Sequence, residues 1–115
     1  MAEALTFGIS QGISPDKFVE VISKCAGTSW MLENRAPHIV NGDYKPHSSI
    51  NIWPKDLGIV LDVALESKFN APIATAALEQ FRTAVDMGLG FEDDAAVAKV
   101  YAKSANLSLP KKNDV

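Results

Sequence analysis

The run Ile50-Asn51-Ile52-Trp53-Pro54-Lys55-Asp56-Leu57-Gly58-Ile59-Val60-Leu61-Asp62 constrains this chain more than any other stretch. It opens as an apolar/polar alternation and turns into a helix at Pro54, since proline suits the first turn, where its missing N–H is not needed. Beyond it Leu57, Val60, Leu61, Ala64 and Leu65 recur at the spacing of a buried helical face. Lys55, Gly58, Ile59, Asp62 and Glu66 fall on the other side. Lys55 thus sits in a first turn, where the helix dipole already carries positive charge and an exposed cation costs ~0.3–1 kcal/mol. Gly58, one turn on, costs ~1 kcal/mol relative to alanine and removes the side chain that would crowd the lysine. A cation beside bare backbone suits a polar ligand. A solvated lysine next to a tolerated glycine fits the same pattern.

A core built around that helix needs company, and the rest of the chain supplies amphipathic segments with separate starts and stops. Ala2-Glu3-Ala4-Leu5 begins a helix without a capping side chain, as though severed from a longer one, and Gly12 stops it. Ser14-Pro15-Asp16 starts a second, with Phe18, Val21, Ile22 and Cys25 along one face and Gly27 as its end. Thr28 or Ser29 caps a third through Trp30, Met31 and Leu32, ending near Pro37. Trp30 is read as a packing residue.

The central helix is expected from Pro54 to about Ser67. A fifth, alanine-rich face follows through Ile73, Ala76, Ala77, Gln80, Phe81, Ala84 and Val85. Asp93 or Asp94 caps a last helix from Ala95 to about Ala105, and the tail from Pro110 to Val115 reads as disordered. The expectation is an all-α, compact bundle of about five or six helices, residues 1–105, with 106–115 as a C-terminal tail.

Composition narrows the function classes. The 115 residues carry a net charge of −3, with 47% hydrophobic and 22% charged residues, which describes one ordinary globular domain. Mild acidity argues against nucleic acid or an anionic membrane as partner. No apolar run is long enough to span a membrane, and no signal peptide opens the chain. Cys25 stands alone, which fits a reducing, cytoplasmic compartment and a buried small hydrophobe rather than a nucleophile. His38 and His47 are the only histidines, without ligands at zinc spacing, so no metal site is expected. Gly88-Leu89-Gly90 follows a helix rather than a strand, so it is not a dinucleotide fingerprint.

Three segments in order, Gly27-Thr28-Ser29-Trp30-Met31-Leu32-Glu33-Asn34-Arg35, Gly42-Asp43-Tyr44-Lys45-Pro46 and Lys55-Asp56-Leu57-Gly58-Ile59-Val60, resemble the C-terminal helical domain of the β-hydroxyacid dehydrogenases, nearest the L-threonate dehydrogenase branch. The resemblance runs from Ala2 to about Tyr101. It implies a bundle typical of the 6-phosphogluconate dehydrogenase-like superfamily, and a role as the substrate and dimerisation half of an enzyme oxidising a small hydroxy acid with NAD or NADP. The dinucleotide-binding domain and the catalytic lysine of the family lie upstream of the residues matched here, so no catalytic residue is expected in this chain. Lys55 matches a second family lysine, which reaches the cofactor near its nicotinamide end. Ser48 and Pro54 depart from the commoner pattern, which tends to carry an aromatic at the first position and a non-proline at the second. Two rival readings stand beside this one: a free-standing helical interaction module, and a small lyase with Lys55 as its own base.

Overall fold

The structure is a computed structural model, and it describes residues 1–112. Six α-helices and one 3-10 turn follow in the order α1 (Ala2–Ser10), α2 (Pro15–Ile22), α3 (Trp30–Asn41), α4 (Ile52–Glu66), α5 (Pro72–Asp86), the 3-10 turn Asp94–Val97, and α6 (Ala98–Ser104). Among the described residues there is no strand; the alternation before Pro54 yields a single antiparallel bridge, Ser49 to Asp93. The all-α expectation therefore holds.

Local chemistry explains most boundaries. Ser29 Oγ accepts from Leu32 N–H at 3.0 Å and starts α3. Gly42, at φ +63°, ends it in the left-handed conformation, while Asp43 N–H returns to the His38 carbonyl. Gly12, at φ +88°, stops the chain after α1 as expected. Asp93 accepts from Ala95 N–H and caps the 3-10 turn.

Other boundaries differ from expectation. Helix α3 continues through Pro37 to Asn41, because Pro37 forfeits one N–H without ending the apolar stripe of Leu32, Ala36 and Ile39. Helix α2 stops at Ile22, and tighter turns carry the chain past Ser23 and Lys24. Cys25 is therefore exposed, not buried. Helix α4 starts at Ile52, with Pro54 inside its first turn.

Small residues let the elements converge. Leu5, Leu32, Ile39 and Ile50 are buried with Ala36, Ala84, Ala95, Ala96 and Ala98 in one core. Helix α1 packs on α2 and α6, α2 on α3, and the 3-10 turn touches α3, α5 and α6. Helices α4 and α5 form a hairpin whose far end extends from this core: the molecule measures 50 × 33 × 26 Å. The segment expected to be loose packs back as far as it is described. Pro110–Lys112 lies against Gly42, where a Cβ would come within 2.7 Å of the Pro110 carbonyl oxygen. The remaining residues of the expected tail, 113–115, lie outside the described residues.

The hairpin's inner faces correct two expectations. Trp53, Leu57, Leu61 and Ala64 turn inward from α4, whereas Val60 is half exposed and Leu65 is 79% exposed. On α5 the inner side uses Leu78 and Ala84 with Ala74, Ala77 and Phe81, while Ile73 at its start is 85% exposed.

Candidate functional site

The first turn of α4 is held by polar groups at its base. Two backbone bonds, Ile50 N–H to the Glu92 carbonyl and Asn51 N–H to the Gly90 carbonyl, both 3.0 Å, tie the approach to α4 to the segment after α5. Trp53 then points inward. Its ring stacks on Phe81 at 5.5 Å between centroids, and its Nε1–H donates to Asp94 Oδ2 at 3.0 Å. The other Asp94 oxygen accepts from Arg35 Nε at 2.8 Å, and the Arg35 guanidinium lies 5.2 Å from the centroid of Trp30. Trp30 itself is 62% exposed, so it stacks on a cation at the surface instead of packing in the core.

Asp93, next to it, is fully buried. Its carboxylate accepts from the backbone N–H of His47 at 2.9 Å and of Ala95 at 3.0 Å. Burial acts to raise its pKa, but those two N–H bonds, the nearby His38 and a further bond from Ser48 outweigh it, and the carboxyl ends below the usual range. Together Asp93 and Asp94 pin the 43–50 loop from beneath, since Asp93 N–H also donates to the Tyr44 carbonyl and Asp94 N–H to the Ser48 carbonyl.

Two polar atoms in this region lack partners among the described residues. His38 Nδ1 lies 3.4 Å from Asp93 Oδ2 without making a hydrogen bond, and the Tyr44 hydroxyl is buried without one. Burial, with the charge of Glu92 adding to it, pushes Tyr44 up to about 12. Lys99, paired with Glu92, sits 4.1 Å above the Tyr44 ring. His38 and His47 meet edge to face at 4.9 Å. Among the described residues no group of three or more His, Cys, Asp or Glu is placed to hold a metal.

Lys55 lies on the opposite side of α4 from this network. It is exposed, and it makes no hydrogen bond or ion pair among the described residues. A Cβ added at Gly58 would meet nothing within 4 Å, so the packing of the described chain gives no reason for glycine there. Ile52, Ile59 and Val63 are also exposed and run along α4 as a second apolar stripe between Lys55 and Asp56, with Val60 just beyond Asp56.

A hollow lies elsewhere. A half-open cavity of about 350 Å³ lies among Met1, Met31, Arg35, Trp53, Gln80, Phe81 and Tyr101, and Lys55 does not line it. The sequence singled out Lys55 and Gly58, and the structure does place them on neighbouring faces of one helix. It missed Arg35, Trp53 and Asp94 as a linked set. Their separations of 59 and 41 residues leave no local spacing to read.

Comparison with known proteins agrees with this architecture. Residues 1–101 match the family model described as NAD-binding of NADP-dependent 3-hydroxyisobutyrate dehydrogenase. The L-threonate dehydrogenase of Cupriavidus necator is 50% identical over 100 residues, covering 87% of this chain and 34% of that protein. The L-threonate dehydrogenase of Escherichia coli K12 is 46% identical over 101 residues, covering 88% of this chain and 33% of that protein. The crystal structure of a 3-hydroxyisobutyrate dehydrogenase from Salmonella typhimurium superposes with a TM-score of 0.85 at 45% identity, covering 86% of this chain and 35% of the other. The chain thus spans about a third of the length of these relatives. With nearly all of its described residues inside the matched region, the chain belongs to the family of NAD-binding domains found in NADP-dependent 3-hydroxyisobutyrate dehydrogenases.

Proposed function

We propose that this chain is the helical part of an NAD(P)-dependent hydroxyacid dehydrogenase, and that Lys55 is its contact to the cofactor. The observation that carries the reading is the free ammonium of Lys55 in the first turn of α4, beside the open space at Gly58. A cation with unused donors next to unobstructed backbone accepts a carboxamide or phosphate oxygen from a group arriving from outside. The fit is one of charge and room. The nicotinamide, when bound, supplies the hydride acceptor. Lys55 holds and orients through a charge-assisted hydrogen bond, and it transfers no proton.

The substrate class is a small hydroxy acid. Relatives named for L-threonate favour a four-carbon sugar acid. Residues 1–105 form the working domain, which operates against a dinucleotide-binding domain. The second apolar stripe of α4 favours coverage by another subunit, so the protein is proposed to self-associate. No helix is long and apolar enough to cross a membrane, and the proposed location is the cytoplasm. The alternative is a helical interaction module in which that stripe is the whole functional surface.

Steady-state kinetics with the cofactor varied, in a full-length dehydrogenase carrying this chain, tests the assignment. Losing a charge-assisted hydrogen bond costs ~1.5–3 kcal/mol, so Lys55→Ala is expected to lower kcat/KM by roughly one to two decades. Lys55→Arg keeps the charge in a wider fork and is expected to fall between. A Lys55→Ala enzyme equal to wild type returns the lysine to solvent and favours the interaction module. A dead variant with intact cofactor affinity makes it the base.

A further inference from the structure

We propose that Asp94 is the positioning residue for Lys55, acting through the Trp53 indole. The inference rests on the reading of Lys55 as a cofactor contact. Among the described residues, Trp53 Nε1–H to Asp94 Oδ2, at 3.0 Å, is the only side-chain hydrogen bond that joins α4 to another element. Helix α4 otherwise packs chiefly on α5, and that contact is apolar. Apolar packing alone leaves a helix free to roll by small angles between similar packings, whereas a directed hydrogen bond fixes its rotation.

Trp53 and Lys55 are two residues apart, hence about 200° around the helix. Holding Trp53 inward therefore sets where Lys55 points outward. A roll of about 20° moves a side-chain atom ~6 Å from the axis by ~2 Å, which is enough to break a hydrogen bond. Asp94 is suited to the task because its own position is fixed. Its side chain is 3% exposed, its second oxygen is held by Arg35 Nε, and its N–H donates to the Ser48 carbonyl at 2.7 Å. The carboxylate offers an acceptor to each donor at once; an amide oxygen with an NH2 beside it does not.

The test is a double-mutant cycle in a full-length dehydrogenase carrying this chain, reading cofactor KM, kcat, and cofactor Kd by titration. Asp94→Asn is expected to raise cofactor Kd and KM about tenfold, within the range of one charge-assisted hydrogen bond, with kcat much less changed. Trp53→Phe keeps an aromatic ring against Phe81 and the Asp94–Arg35 pair while deleting the N–H donor together with one ring of the indole, so it serves if Asp94→Asn fails to fold. It is expected to show the same split. In a Lys55→Ala background both changes are expected to have no further effect on cofactor Kd. Losses that persist unchanged in that background, or that fall on kcat and stability alone, overturn the positioning role while leaving Lys55's own assignment intact. If Lys55→Ala by itself leaves cofactor binding at the wild-type value, the parent reading fails, and this inference falls with it. On the full chain, NMR gives a readout free of cofactor. Backbone amides from Lys55 to Gly58 are expected to shift in Asp94→Asn, which leaves the indole and its ring current in place, and unmoved α4 amides in that variant refute the pin.

Discussion

The segment around Asp93 and Asp94 and the α4–α5 hairpin solve opposite problems. The first is a polar interior: two carboxylates, shielded from water, receive N–H donors from α3, the 43–50 loop, α4 and the 3-10 turn. The second is an apolar exterior: Ile59, Val63, Leu65, Phe69 and Ile73 all stand in solvent. Ordinary domains reverse this arrangement, with apolar groups inside and polar ones out. The difference teaches that the chain completes its own specification at the aspartates and leaves it incomplete on α4. A hydrogen-bonded carboxylate has particular partners, so it determines position. An uncovered apolar stripe has none yet, so it determines only that something should cover it.

That contrast is open to attack, most forcefully at Asp93. Asp93→Ala strands two buried N–H donors and removes a cap, so a loss of ~3–5 kcal/mol is expected in urea unfolding. A loss under ~1 kcal/mol would mean that water replaces the carboxylate and that the interior is not sealed. Acid should probe the same group with a definite sign. The folded pKa of Asp93 lies below the ordinary 3.8, so its contribution is complete above about pH 5 and disappears as pH falls through the folded value. Thermal melts from pH 6 to pH 3 are expected to show a falling Tm, with a smaller fall in Asp93→Asn. Identical slopes would remove Asp93 from the acid response.

A smaller effect is expected at Tyr44, whose buried hydroxyl has no partner among the described residues. Tyr44→Phe should leave stability unchanged or raise it by up to ~1 kcal/mol, because an unsatisfied group is removed with little change of shape. Destabilisation by more than that in a melt would reveal a bridging water. Smallest for the fold, within about ±0.5 kcal/mol, is Ile59→Asp on the uncovered stripe. Its effect belongs to association: sedimentation is expected to show a protein that forms dimers or larger species before the change and a monomer after it. Equal sedimentation of both forms would show that the stripe is not an interface between copies.

These regions also differ in how far the sequence disclosed them. Caps and stops are local, so Ser29, Asp93 and Gly12 are recognisable from their immediate neighbours. Lys55 and Gly58 share a helix, and periodicity alone places them on neighbouring faces. Helix α4 defeats the same method in its packing. It has apolar residues on nearly every side, so periodicity centres the inner face correctly on Leu57, Leu61 and Ala64 but draws it too wide, taking in Val60 and Leu65 at its two opposite edges. Cys25 went astray because an apolar spacing was extended past the end of its helix at Ile22. Arg35, Trp53 and Asp94 belong to a set that exists only after the chain has folded back on itself.

The aspartate network has a consequence for the order of events during folding. It joins partners 59, 46 and 41 residues apart, whereas α4 and α5 are connected by a short turn and make contacts of low sequence separation. Local contacts form first, because closing a long loop costs entropy before any contact rewards it. The hairpin should therefore assemble early, and during synthesis it emerges before residue 94 does. Through that interval its apolar stripe is displayed on a helix whose rotation has no polar restraint. The hazard of aggregation therefore begins before Asp94 meets Trp53 and lasts as long as the stripe stays uncovered, and refolding yield should fall steeply with protein concentration even where the finished fold is stable.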